Sequence, residues 1–93
     1  MKTSRTRVYE LIDDERREQQ SRPSLSPAPS VAAELVVLQH YVDKARAAFT
    51  SARPDSTEAT MNAVRIIAAI AVRAMETHGA PVRVLSAQEG KAK

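Results

Sequence analysis

Apolar residues recur along this 93-residue chain in three blocks, each with the spacing of an amphipathic helix. In the first, over residues 4–20, Val8, Leu11 and Ile12 are the only aliphatic anchors, and a polar half follows them. Glu15 and Gln19 continue their line at helical spacing. Two outcomes stay open there: a carboxylate and an amide turned toward a core or cleft, or a solvated end laced by pairs such as Asp13 with Arg17. The second block, 31–50, places Val31, Leu35, Leu38, Val42, Ala45 and Phe49 at alternating steps of four and three, which makes a packing seam. The third, 57–78, carries a seam of Met61, Val64, Ala68, Ala71 and Met75. It also carries a second stripe of Ala63, Ile67, Ile70 and Ala74, widened by Ile66 and Val72. Packed seam to seam, the second and third helices form an antiparallel hairpin. The second stripe then needs cover from the first helix or from another subunit.

Punctuation residues agree with this division. Residues 21–30 hold Pro23, Pro27 and Pro29 among four serines, which breaks a helix and makes an extended connector. Ser26 or Ser30 can cap the helix that follows. Pro54 marks a turn, after which Ser56, or Asp55 with Glu58 in a capping-box spacing, starts the third helix. Gly79 supplies a left-handed residue after the last turn and Pro81 blocks continuation. The expected organisation is an N-terminal helix over 1–21, a Pro/Ser linker over 22–30, a helical hairpin over 31–79 and a flexible basic tail over 80–93. The fold class is all-α, and the small core such a chain can build favours assembly as a homo-oligomeric helical bundle.

Composition narrows the function classes. With no cysteine there is neither a disulfide frame nor a thiolate metal site. The longest apolar run, 66–72, is too short for a bilayer, and Lys2, Arg5 and Arg7 precede no apolar leader segment, so a soluble cytoplasmic protein is expected. The sequence pI near 9.7 invites a nucleic-acid reading. Its excess charge lies at the ends, however: residues 31–78 hold five Lys/Arg and five Asp/Glu. Only Tyr9, Tyr41 and Phe49 are aromatic, which argues against a stacking platform along a strand of nucleic acid.

The chemistry-bearing residues form no standard catalytic set. Gly79 and Gly90 are the only glycines, too few for a phosphate loop, and His40 and His78 stand alone on different helices. His78 in a last turn suits the helix dipole, and His40 lies opposite the seam toward solvent. The basic residues are more suggestive. With the seams packed, Gln39 and Arg46 flank one side of the second helix and Arg65 lies beside the third at similar height, so a phosphate or carboxylate has a guanidinium fork to bind. Pairing with Asp43, Glu58 or a neighbouring subunit's acid is the plainer alternative. Arg73, set among Ile70, Val72 and Met75, needs a partner or ligand across an interface. His40 and Lys44 can join such a site between subunits. The candidate ligand residues are therefore Gln39, His40, Lys44, Arg46, Arg65 and Arg73, with no metal and no cofactor expected. Tyr41 either stacks on a base or covers the hairpin.

Val8-Tyr9-Glu10-Leu11-Ile12 followed by Glu15-Arg16, then Glu34-Leu35-Val36-Val37-Leu38 and Ile67-Ala68-Ala69-Ile70-Ala71-Val72, resemble the small phage-type branch of the MazG-like, all-α nucleoside triphosphate pyrophosphohydrolases. Leu38-Gln39-His40-Tyr41 with Lys44-Ala45, and Ala71-Val72-Arg73-Ala74-Met75-Glu76 with His78-Gly79-Ala80-Pro81, resemble small phage and prophage proteins. The first resemblance implies a Glu-x-x-Glu and a Glu-x-x-Asp pair holding magnesium. Where those pairs belong, this chain has Gln39, His40, Tyr41, Asp43 and Lys44, and then Ala63, Val64, Arg65 and Ile66. Cations at such positions repel magnesium. The expectation is a non-enzymatic helical binding protein, phage-encoded and working in the host cytoplasm, that sequesters a nucleotide or cyclic nucleotide between subunits. The alternatives are a divergent pyrophosphohydrolase using Glu15, Glu34 and Asp43, and a structural or protein-interaction module.

Overall fold

The structure, a computed structural model, describes residues 2–22 and 29–83. Within them the chain is all-α, with three helices and no strand: α1 (Arg5–Gln20), α2 (Val31–Thr50) and α3 (Ser56–His78). Most of the linker and the tail from residue 84 lie outside the described residues. No described helix is long and apolar enough to cross a membrane.

Local chemistry accounts for where the helices start and stop. The Ser4 hydroxyl accepts from the Arg7 amide at 3.1 Å and the Ser30 hydroxyl from the Ala33 amide at 3.0 Å, so each satisfies one orphan donor of a first turn. Asp55 occupies the corresponding position before α3 but makes no side-chain cap. Its carboxylate instead accepts from Arg53 Nε and Nη2 at 2.9 and 2.7 Å, so the expected capping box does not form. Those bonds hold the Asp55 carboxyl below its usual range. Gly79 ends α3 at φ 108° and ψ 153°, a backbone open to glycine and strained for other residues, though extended rather than left-handed helical.

α3 is the central element. Both α1 and α2 pack on it, and among the described residues they do not pack on each other. The first turn of α2 lies beside the last turns of α3, where Glu34 meets Arg73. α1 begins beside the start of α3, where Val8, Leu11 and Ile12 face Met61 and Val64, and ends toward Glu76. Cover for the second stripe of α3 therefore comes from α1 of the same chain on one side and α2 on the other.

The two seams do not meet as the spacing predicts. Glu34 is buried and Val37, Leu38, Tyr41, Val42, Ala45 and Ala48 are half-buried, while Val31, Leu35 and Phe49 stay largely exposed. α2 is thus rotated so that only the middle of its heptad seam, Leu38, Val42 and Ala45, is partly covered, while Val31, Leu35 and Phe49 look past α3. The reason is chemical: turning Val31 and Leu35 inward would move Glu34 away from Arg73 and strand two charges in a low-dielectric interior. Met61, Val64 and Met75 of the α3 seam are exposed in the same way. Among the described residues only Ala69 and Ile70 are fully buried apolar side chains.

Candidate functional site

Among the described residues the buried side chains are mostly charged or polar, and they lie where the end of α1 and the start of α2 reach the second half of α3. Arg16, Gln19, Glu34 and Arg73 are all buried there. Arg73 Nη2 donates to Glu34 Oε1 at 2.8 Å, with side-chain exposures of 5% and 3%, and His78 Nε2 stands 3.7 Å from Glu34 Oε2. Arg16 Nε donates to Glu76 Oε1 at 2.8 Å, and its Nη2 lies 2.6 Å from the same oxygen. Gln19 Nε2 reaches Glu15 Oε2 at 3.5 Å, while Gln19 Oε1 is buried without a donor among the described residues. An interior amide oxygen left this way costs about 1–3 kcal/mol. Both outcomes held open for α1 occur together, since Asp13 and Arg17 pair in solvent at 2.8 Å while Glu15 and Gln19 turn inward.

The first half of α3 is different in kind. There α1 stands off far enough to leave an open apolar groove of about 810 Å³, lined by Val8, Leu11, Ile12, Met61, Val64 and Ala68, with Asp55 and Glu58 at one end. Arg65 also lines it, but its Nη2 and Nε donate to Glu15 Oε1 at 3.2 and 3.3 Å. A groove with aliphatic walls and one neutralised guanidinium suits an apolar side chain better than a phosphate.

The structure divides the six predicted ligand residues. Arg65, expected to converge with Gln39 and Arg46, is instead engaged by Glu15 of α1, and the partner expected for Arg73 across an interface is Glu34 in cis. Gln39 Nε2 donates to Asp43 Oδ1 at 2.9 Å on the exposed side of α2, and Arg46 is exposed near them. His40 and Lys44 do come together, around Tyr41. The His40 ring meets the Tyr41 ring edge-on at 5.2 Å and 82°, and Lys44 Nζ sits 5.4 Å from the Tyr41 centroid. His78, expected to serve the helix dipole alone, also faces Glu34.

The carboxylates considered for metal-dependent hydrolysis are dispersed. Glu15 holds Arg65, Glu34 holds Arg73 and Asp43 accepts from Gln39, and no three His, Cys, Asp or Glu residues gather among the described residues. Sequence reasoning missed the role of Glu34 and the burial of Arg16. For Glu34 a signal existed: it is the lone charge in the first two turns of α2, and it stands nearly as far before the α2–α3 connection as Arg73 stands after it. Arg16 carries no such signal, because Arg17 beside it is solvated. Comparison with known protein families, characterised proteins and solved structures gives no match for this chain.

Proposed function

We propose that this chain is a non-enzymatic helical binding protein, an antiparallel α2–α3 hairpin braced by α1, which works as a homo-oligomer. The observation that carries the reading is the inversion of burial. Two arginines, a glutamate and a glutamine are buried, while Val31, Leu35, Phe49, Met61 and Met75 are about half exposed or more. A lone domain of this size exposing so many large apolar residues along two neighbouring helices is short of core, and association supplies what it lacks. Engagement of Glu15, Glu34 and Asp43 by basic or amide groups favours binding over metal-assisted hydrolysis. Molar mass by light scattering tests the assembly: a species of two or more chains at micromolar concentration is expected, and a stable, fully helical monomer contradicts it.

A second reading rests on the flank of α2. Tyr41 offers a ring face, Lys44 a cation and His40 a further donor, a grouping suited to a nucleobase stacked beside its phosphate. An anionic nucleotide or cyclic nucleotide held there, at a boundary between subunits, is the ligand class this favours. Calorimetry with nucleoside phosphates and cyclic dinucleotides is the test. Binding that is lost on Lys44→Ala supports it, and absence of heat at millimolar ligand contradicts it.

A further inference from the structure

Phe49 and the α1–α3 groove are complementary features of one surface. Phe49 is the only phenylalanine of the chain and stays 67% exposed at the last turn of α2, where no described neighbour covers it. The groove is the corresponding void, aliphatic and open, and it is lined by the first turns of α3. The connection of residues 51–55 places both at the same end of the molecule.

Helical geometry puts them on the same face. α3 has α2 on one side and α1 on the other, and Val64, Ala68, Ala71 and Met75 occupy the arc left between them. On α2, Val31, Leu35 and Phe49 lie roughly 70° around from the direction of α3. Because α2 runs opposite to α3, that rotation carries them toward the same open arc. The face therefore bears a projecting ring near one edge and a groove near the other, at one height.

We propose that the occupant of this face is a second copy of the chain, related by a two-fold axis running along α3, so that Phe49 of each copy enters the α1–α3 groove of the other. The inference rests on the homo-oligomeric reading above and names the surface and the register. Such an axis exchanges the two edges of the face while keeping height, which is the operation that brings ring to groove twice over. It also matches charge. Arg46, one turn before Phe49, makes no ion pair among the described residues, and neither does Glu58 at the end of the groove. Seating Phe49 brings a copy's Arg46 toward Glu58. Area agrees as well: three helices about 8–10 Å apart and about 30 Å long present on the order of 800 Å², which is about what each partner of a stable complex contributes.

The experiment uses two full-length variants, Phe49→Cys and Val8→Cys, in a chain that otherwise has no cysteine. Each is oxidised alone and then in an equimolar mixture, and wild-type molar mass is measured in parallel. An oligomer with a disulfide between positions 49 and 8 in the mixture, several-fold more abundant than either homodimer, is the expected result. An oligomeric wild type in which position 49 bonds only to itself, or to neither, overturns this register while leaving self-assembly intact. A monomeric wild type overturns both. Phe49→Ala, which removes the ring without adding charge, should raise the dissociation constant at least tenfold with helicity unchanged in the assembled protein. Val36→Ala, also at an exposed apolar position but on the far side of α2, should leave the constant unchanged.

Discussion

α3 is one continuous helix with two different surroundings. Around its second half, α1 and α2 close in with charged side chains, and Glu34, Arg73, Arg16 and Gln19 are buried. Around its first half α1 stands away, and aliphatic residues face an open groove with Phe49 exposed nearby. A folded monomer ordinarily shows the reverse distribution. Buried ion pairs add little net stability because desolvation offsets most of their attraction, whereas exposed aliphatic surface loses the main driving force of folding. The charged half therefore fixes how the helices are arranged, and the apolar half is the surface on which the proposed assembly would add stability.

The largest effect should come from breaking the charged half. Glu34→Ala leaves the Arg73 guanidinium in a site where both side chains are nearly inaccessible, and a loss of about 3–5 kcal/mol is expected in chemical denaturation. Replacing both residues together, Glu34→Leu with Arg73→Leu, should recover most of that loss. It should also free α2 to rotate its seam toward α3, visible as protection of Leu35 from solvent. If the double variant is as unstable as the single one, the charges stabilise more than they orient.

Phe49→Ala addresses the other half. On the proposed register, truncating an aromatic anchor seated in a partner groove costs about 2 kcal/mol, roughly 30-fold in dissociation constant, and sedimentation across a dilution series reads it directly. A smaller effect belongs to the end of α3. Gly79→Ala meets no neighbour but must hold a positive φ, so about 1–2 kcal/mol is expected in thermal unfolding. Smallest of all, Arg7→Ala removes an exposed pair with Glu10 at 3.0 Å and should cost about 0.2–0.5 kcal/mol. A larger loss there would mean that the start of α1 is covered.

Helix positions were legible from short-range signals. Ser4 and Ser30 stand where caps belong, and Gly79 with Pro81 marks the end of α3. The rotation of α2 was not. Heptad spacing at Val31, Leu35, Leu38, Val42, Ala45 and Phe49 identifies an apolar seam without saying what it faces, and a single buried pair, Glu34 with Arg73, turned Val31, Leu35 and Phe49 of it away from α3. The candidate site was legible only in part for the same reason. Arg65 and Arg73 stood out as cations on an apolar helix, but their partners sit on other helices, Glu15 fifty residues away and Glu34 thirty-nine. Local pattern carries no information about the first partner, and for the second only the matched placement of Glu34 and Arg73 about the α2–α3 connection hints at it. His40, Tyr41 and Lys44 meet within one helical turn, but sequence spacing joins only His40 with Lys44 and sets Tyr41 apart as hairpin cover or a stacking ring.

If another chain completes the apolar half, as proposed, folding and assembly are coupled. Helicity by circular dichroism, followed together with molar mass over a thousandfold dilution of the wild-type protein, tests this most directly. The expected result is a multiple of 10.2 kDa at high concentration, with helical signal and assembly lost together as the protein is diluted. A 10.2 kDa species that keeps its full helicity and cooperative unfolding at every concentration would contradict it.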